Sequence, residues 1–215
     1  MIHITLDELL ILNMALDRRD FWGVPSLRSR TMPSLFSEKV YKSLIEKGLL
    51  SDKDTLTKEG AMCVKRMEDY KNSLKYIKIG ALTIGLYQKD FGIALMENPV
   101  DKTYSFARMN MKFENLALNK MYAFLDKENE KEPVLNGSMK FDTLQEKVDF
   151  KLDNAIFLST LDMKKATSDI KSAIINEVLF YYEGHHYRYD RNKELIYPCS
   201  KEDMWTHLRE GVVLS

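Results

Sequence analysis

The chain has 215 residues, of which 45% are hydrophobic and 30% are charged, so it can form one large domain or two closely packed halves. Lysine and arginine together number 32, and so do aspartate and glutamate, which leaves no global field to attract nucleic acid or an anionic membrane. The basic residues are scattered among acidic ones, without a local basic patch. This composition is typical of an ordinary globular protein and argues against a polyanion-binding one.

The start of the chain does not resemble a signal peptide, because it lacks a basic region and places Asp7 and Glu8 within the apolar stretch. The longest charge-free stretch, IGALTIGLYQ, has roughly half the length that a membrane-spanning helix needs. We therefore expect a cytoplasmic protein without a transmembrane helix. Cys63 and Cys199 lack CxxC spacing, so we expect two reduced, buried thiols.

The N-terminal residues predict a helix followed by a loop. Thr5 and Glu8 form a capping box before an apolar run, which predicts a helix over about 5–17. Two prolines and a glycine then predict a surface loop over 21–33.

Two further helices are predicted before residue 74. The second begins at Ser37 and ends at Gly48, which suits the left-handed position after a helix. The third begins at Thr57 and runs over about 57–73. The residues expected to face the core from these two helices are Val40, Tyr41, Leu44, Ile45, Val64, Met67 and Leu74.

From residue 74 the hydrophobic pattern alternates, which predicts three or four antiparallel strands. The short turns at 88–90 and 98–102 make these strands sequential neighbours in a meander. Gly80 and Gly85 would either separate two strands or bend a single long one. The alternating positions of successive strands are Leu82, Ile84 and Leu86, then Phe91, Ile93 and Leu95, then Tyr104, Phe106 and Arg108.

A second group of helices is predicted after the meander. Apolar residues with helical spacing form a stripe, which is followed by a charged link that ends at Pro133. Thr143 and Glu146 form a second capping box, which predicts a helix over 143–152. The predicted apolar positions of the stripe and of this helix are Phe113, Leu116, Ala117, Met121, Phe124, Leu125, Leu144, Val148 and Leu152.

Strands close the second half. Residues 155–161 predict a short strand, and β-branched and aromatic residues favour a strand over 173–183. A helix fits the first half of 165–183 almost as well. Ser200 and Asp203 then predict the start of a final helix with Met204 and Leu208 on its apolar side.

This order of elements predicts an α+β fold with a central antiparallel β-sheet, built from a meander and hairpins and flanked by two helical groups. The two halves share their order of helices and strands, which suggests a pseudo-duplicated architecture. We expect a single α+β domain over 1–215, with 1–112 and 113–215 as its halves.

Signatures of catalysis are missing, since the chain has no GxSxG, HExxH, CxxC or GxGxxG motif. GALTIGLY carries two glycines of a phosphate loop but places Leu86 and Tyr87 where Lys and Ser or Thr must stand. We therefore expect no nucleotide and no other cofactor.

The C-terminal stretch YYEGHHYRYDRNKELIYPCSKEDMWTHLRE can be interpreted either as a metal site or as a hairpin followed by a helix. If 185–190 is a strand, His185 and His186 point to opposite faces and cannot readily bind one metal ion. A site built from either of them with His207 and Cys199 requires strand and helix to fold back closely, which keeps a small metal-dependent enzyme as an alternative. The simpler reading is a closing hairpin and helix, with His207 near the helix C-terminus.

Nucleic-acid binding is the other alternative. Three leading helices followed by strands are also the order of a winged helix, whose third helix at about 57–73 would enter the major groove of DNA. That helix mixes Lys58, Lys65, Arg66 and Lys71 with Glu59, Glu68 and Asp69. Aromatic residues beside Arg188 are compatible with binding of a single strand, but neighbouring acids dilute the charge.

Four segments give the chain a resemblance to the EspG-like chaperones of type VII (ESX) secretion systems and their relatives in Gram-positive bacteria. ITLDELLILNMAL resembles the opening helix of that family, and FWGVPSL its Pro-containing segment. KSLIEKGLL is similar to its short helix with a Gly-Leu turn. EGHHYRYDRNKELIYPCSKEDMWTHLRE resembles its terminal hairpin and last helix.

The resemblance implies a non-enzymatic cytosolic protein that binds a helical secretion substrate and keeps it soluble for export, with no metal, no nucleic acid and no membrane insertion. In that family the substrate docks against the sheet and the C-terminal helical group, and a hairpin loop takes part. The matching positions here are Tyr87, Gln88, Lys89, Asp90 and Phe91. The chain departs from the better-known actinobacterial members by being shorter and much richer in Lys and Met, which leaves the nature of the substrate open.

Overall fold

The computed structural model describes residues 2–16, 20–25, 38–80, 82–88, 91–98, 100–111, 118–163 and 174–212. The chain divides into two compact units. The first comprises Met1–Tyr76 and Ala81–Asn110, and the second comprises Ile77–Gly80 and Met111–Ser215. The predicted α+β class is confirmed, with ten strands and six α-helices in the described part of the chain. The predicted single domain, its halves and the pseudo-duplication stay predictions.

The first unit contains three helices and most of a meander. Its elements are β1 (Ile4–Thr5), α1 (Leu6–Asn13), α2 (Glu38–Glu46), α3 (Lys58–Lys71), the start of β2 (Lys75–Ile79), β3 (Leu82–Gln88), β4 (Phe91–Asn98) and β5 (Thr103–Asn110). The neighbouring strands are β1-β5-β4-β3, all antiparallel where their register is described. Gly80 has a positive φ and follows the end of β2. Of the predicted three or four strands, four form, and Gly80 separates two of them.

The meander of the first unit is buried on both faces. Opposite residues of an antiparallel pair share a face, so Leu95 and Phe106 lie together on one side and Ile84 and Ala94 on the other. All four side chains are buried. Gly85 lies under α3, where a Cβ atom would come within 3.0 Å of the Tyr70 ring. The glycine that interrupts the apolar alternation therefore makes room for a helix.

Helix α1 starts as predicted and ends early. Thr5 accepts a hydrogen bond from the backbone N–H of Glu8, and Glu8 accepts one from the backbone N–H of Thr5, which confirms the capping box. The Glu8 carboxylate also accepts hydrogen bonds from the Ser43 hydroxyl and the Lys47 ammonium, at 2.7 Å each. The helix ends at Asn13 and gives way to turns, so the prediction that it reaches residue 17 was too long.

The next two helices begin and end near their predicted positions, but the buried face of α3 differs. Gly48 adopts the left-handed conformation after α2, and the Thr57 hydroxyl caps α3 by accepting from the N–H of Gly60. The prediction that Leu74 faces the core was wrong: it follows the helix and is 40% exposed. The residues that α3 buries are Gly60, Cys63, Met67, Tyr70 and Lys71.

The second unit contains a hairpin array and the C-terminal helix. Its elements, after the end of β2, are α4 (Leu118–Met121), a 3₁₀ helix (Ala123–Asp126), β6 (Gly137–Ser138), α5 (Phe141–Lys147), β7 (Ala155–Asp162), β8 (Ile174–Tyr182), β9 (His185–Asp190), β10 (Leu195–Cys199) and α6 (Lys201–Val212). The neighbouring strands are β7-β8-β9-β10-β6, all antiparallel. The predicted strands at 155–161 and 173–183 are confirmed over the described residues.

One face of this array is an aromatic and aliphatic core. Its fully buried rings include Phe180, Tyr187 and Tyr189, packed against Leu144 and Val148 from the region of α5. The Tyr187 hydroxyl accepts the N–H of Val134 at 2.8 Å, so this buried polar group is paired. The opposite face carries polar and charged side chains, described below.

Local predictions for α5 were partly wrong. Its start is Phe141, with Lys140 at the N-cap and no side-chain cap, so the predicted capping box at Thr143 does not form. The helix ends at Lys147, which leaves Leu152 outside it and 71% exposed. Leu144 and Val148 are buried as predicted.

The stripe predicted before α5 is broken in the structure. Phe124 and Leu125 are fully buried, but they belong to the short 3₁₀ helix that follows α4. Met121, the last residue of α4, is 52% exposed, so its predicted inward position was wrong. Residues 113–117 of the stripe lie outside the described residues.

No helix in the described part of the chain is long and apolar enough to cross a bilayer. The two cysteines are free thiols.

Candidate protein-binding site

The predicted binding residues surround the turn between β3 and β4. Tyr87 and Gln88 end β3, and Phe91 opens β4. Tyr87 and Phe91 are half-buried and Gln88 is exposed. Lys89 and Asp90 lie outside the described residues.

A β-bulge sets the direction of Tyr87. Leu86 pairs with Gly92 and Gln88 pairs with Phe91, so Tyr87 is the extra residue of β3 at this point. A bulge leaves one residue unpaired and re-aims its side chain. Tyr87 therefore departs from the strict alternation that the sequence pattern had assumed.

Arg108 of β5 completes this end of the meander. Its backbone pairs with Ile93, which places the exposed Arg108 side chain on the same face as Phe91 and diagonal to it. The guanidinium lies over the Phe91 ring, 4.6 Å from its centroid. The alternating pattern predicts Arg108 in a strand but does not connect it with the site, because that connection depends on the β4–β5 register.

We call the surface formed by Tyr87, Phe91 and Arg108 the hairpin-end surface. Its composition is that of an interaction surface. Half-exposed aromatic rings and arginine are enriched among the residues that dominate protein interfaces, because they offer large contact areas and directed polar groups. An arginine held over a ring keeps its outer N–H groups available for a carboxylate or carbonyl of a partner. The arrangement is suited to binding and contains no nucleophile or base in the described residues.

Of the C-terminal histidines, His185 and His186 both contact Asn129, whereas His207 has a different partner. His185 Nδ1 lies 3.0 Å from the carbonyl oxygen of Lys131, and His207 on α6 is hydrogen-bonded through Nε2 to the carboxylate of Glu177. His186 is buried and lies against Asn129. Within the described ranges, no three His, Cys, Asp or Glu side chains are grouped so that they could hold a metal ion.

A cavity of about 300 Å³ lies between α6 and the β9–β10 hairpin. Arg188 bonds the buried Glu177 carboxylate at 3.2 Å and lies over the Tyr197 ring. Cys199 also lines the cavity, where burial, with a smaller contribution from nearby Asp203, raises the pKa of its thiol to about 12. The thiol is therefore protonated near neutral pH and is a poor nucleophile.

Two of the four basic side chains of α3 have partners within the described part of the chain. Lys65 bonds Glu68 at 2.8 Å and Asp69 at 3.0 Å. Lys71 is buried, contacts Asn13 and lies over the Phe21 ring. Nothing in this geometry favours α3 as a DNA-reading helix, and the winged-helix alternative stays a hypothesis.

Comparison with known proteins gives one family and one fold. A family model described as "Domain of unknown function (DUF5081)" matches residues 3–213. A solved structure of the type VII secretion system chaperone EspG5 from Mycobacterium tuberculosis, in complex with a PE25-PPE41 dimer, matches with a TM-score of 0.58 and 10% sequence identity. The match covers 98% of this chain and 94% of that one. Among curated proteins none matches the sequence.

Proposed function

Because the chain belongs to the DUF5081 family and shares the fold of EspG5, we propose that it is a non-enzymatic cytosolic chaperone of a type VII (ESX) secretion system in a Gram-positive host. It binds a secreted helical protein and keeps it soluble for export. The main support is the structural similarity to EspG5, which extends over 98% of this chain. EspG5 was solved with a bound PE25-PPE41 dimer, which supports a protein substrate here.

The hairpin-end surface is proposed as part of the substrate contact, together with Gln88, Lys89 and Asp90. Its support is physical: Tyr87 and Phe91 are half-buried rings at a strand end, and Arg108 is exposed above one of them. When a partner covers a half-exposed ring, apolar surface is removed from water and the complex is stabilised. The chain does not need to refold for this to happen. In this role the protein catalyses no reaction and binds no cofactor.

The first experiment is co-expression with helical secreted proteins encoded beside the gene in a host with this pathway. We expect the partner to stay soluble only when this chain is present, and the two to elute as one complex of defined mass by light scattering. A partner that is equally soluble alone, with no shared elution at micromolar concentration, would contradict the proposal.

Point variants then test the surface. Phe91→Ala and Arg108→Glu should each weaken the complex at least about tenfold, the scale of an interface hot spot. The control is Val100→Ala at the turn beyond the other end of β4, where Val100 is 86% exposed. Equal affinities for all three variants would remove the hairpin-end surface from the proposal while leaving the chaperone role to the co-expression result.

A further inference from the structure

The cavity between α6 and the β9–β10 hairpin has no part in the proposed function. Its floor is a row of side chains on three neighbouring strands, because Arg188 on β9 pairs with Leu179 on β8 and with Tyr197 on β10. Directly opposite residues of antiparallel strands share a face of the sheet. The cavity volume of about 300 Å³ is at the lower end of the range for small-molecule pockets, so the space suits a ligand of about the size of one amino acid.

Helix α6 forms the opposite wall of the cavity. Asp203, Thr206 and Glu210 line it from this helix, at the spacing of three and four positions that places residues on one helical face. The hydrogen bond between His207 and the carboxylate of Glu177 ties the same face to β8. The floor and the wall are therefore regular elements that are bonded to each other.

Arg188 has hydrogen-bond donors to spare in this cavity. A guanidinium has five N–H groups. One of them donates to Oε1 of Glu177 at 3.2 Å, and no other group in the described part of the chain accepts from Arg188. The Glu177 carboxylate and the Tyr197 ring, whose centroid is 4.7 Å from the guanidinium carbon, fix the orientation of the fork. Such a planar, oriented fork matches the two oxygens of a carboxylate.

The acidic side chains of the cavity belong to α6. Asp203 already caps the helix, since its Oδ2 accepts the hydroxyl of Ser200 at 2.8 Å and the backbone N–H of the same residue at 3.2 Å. Glu210 is exposed and has no hydrogen-bond or ion-pair partner among the described residues. The cavity is thus lined by a guanidinium with spare donors on its floor and by an unpaired carboxylate on its wall.

We propose that this cavity binds a small zwitterion with an apolar side chain, namely a free hydrophobic α-amino acid. The ligand carboxylate accepts hydrogen bonds from Arg188, and the ligand ammonium donates to Glu210. The apolar side chain packs against Leu179 and Met204, which also line the cavity. A ligand with one charge fits less well, because a simple carboxylate meets the like charge of Glu210 and a simple amine meets that of Arg188.

Isothermal titration calorimetry of the full chain near neutral pH tests the class of ligand. The probes are leucine, isocaproate, which is leucine without the ammonium, and isopentylamine, which is leucine without the carboxylate. We expect leucine to bind with a submillimolar Kd and each analogue at least about tenfold more weakly, because each loses a charged hydrogen bond. The proposal is overturned if leucine, methionine and phenylalanine all fail to bind or to raise the Tm at about 10 mM, or if either analogue binds as tightly as leucine.

Variants assign the two charges to their residues. Glu210→Gln should weaken leucine at least about tenfold without weakening isocaproate, whereas Arg188→Lys should weaken both, because an ammonium does not reproduce the guanidinium fork. Glu210 is exposed, so its replacement leaves the fold intact. Glu202→Gln, a change to an exposed residue of α6 outside the cavity, is the control and should bind leucine as the parent does.

The Glu210 variant gives the deciding result. An unchanged affinity for leucine in Glu210→Gln, or an equal loss for leucine and isocaproate, would overturn the assignment of the ammonium to this carboxylate and with it the proposed site. The titrations need no secreted partner, so their outcome is independent of the chaperone role.

Discussion

The β3–β4 and β8–β9 hairpins differ in how their ends are built. The β8–β9 turn has two central residues, Glu183 and Gly184, both with positive φ, between the paired Tyr182 and His185. This is the geometry whose twist matches that of the flanking strands. The β3–β4 end has a bulge at Tyr87 instead.

The surroundings of the two turns differ as well. The carbonyl oxygen of Gly184 accepts the N–H of Glu130 at 2.8 Å, so a passing segment covers the β8–β9 turn. At the β3–β4 end, Tyr87 and Phe91 keep part of their surface in water. A regular, covered hairpin thus contributes stability, whereas an irregular, exposed one offers side chains for binding.

The largest expected difference is between two phenylalanines. Phe180 on β8 is fully buried, and its replacement by alanine should cost about 3–5 kcal/mol of unfolding free energy. Phe91→Ala should cost about 1 kcal/mol, because its ring already meets water. Urea unfolding of both variants measures this, and similar losses would erase the proposed distinction between the hairpins.

The polar face of β8 gives the next effect. Glu177 is buried and joins Arg188 to His207, so Glu177→Ala leaves both partners without their carboxylate. We expect a loss of about 3 kcal/mol. Glu97→Ala, a change to an exposed acidic residue on β4 that accepts a long hydrogen bond of 3.5 Å from Tyr104, is the matched control and should be nearly neutral.

The β8–β9 turn itself should depend on glycine. Gly184→Ala forces a Cβ into the left-handed region and within 3.1 Å of the Lys131 side chain, and should cost about 2 kcal/mol. Gly48→Ala has a similar positive φ with nothing within 4 Å, so it isolates the backbone strain at about 1 kcal/mol. Thermal unfolding should rank them in this order; the reverse order would mean that the contact with Lys131 is unimportant.

The smallest effect concerns pH at the far end of β9. Burial raises the pKa of Asp190, but hydrogen bonds from the Lys193 ammonium and from the backbone N–H groups of Asn192 and Lys193 outweigh it, so the pKa lies below its usual value. The stabilisation is therefore present above the usual aspartate pKa and is lost as pH falls through the lowered one. Asp190→Asn should remove less than about 1 kcal/mol of acid dependence, measured by urea unfolding at pH 7 and pH 3.

Much of the fold could be predicted because its signals act over a few residues. The box of Thr5 and Glu8 spans three positions, and the Ser200–Asp203 cap before α6 is equally local, with Ser200 accepting from the N–H of Asp203 at 3.0 Å. The box predicted at Thr143 failed because the helix begins earlier, at Phe141. A short polar pattern identifies a possible cap, and packing decides whether the chain uses it.

The candidate site was predictable only in part. Turn residues between two alternating runs were enough to place Tyr87 and Phe91 at a strand end. The bulge and the approach of Arg108 depend on register with strands farther along the chain. The hydrophobic periodicity of one strand contains no information about the bulge or about the approach of Arg108.

The class of the fold, most strand positions and the capped starts of α1, α3 and α6 follow from patterns in the sequence, because alternation and capping act between neighbouring residues. Which polar groups are buried, and which groups pair with them, depends on contacts between residues far apart in the chain. His186 meets Phe124 from 62 residues away, and Glu177 meets His207 from 30 residues away. Buried polar groups need such distant partners, because an unpaired polar group in the interior lowers the free energy of unfolding by a large share of its total.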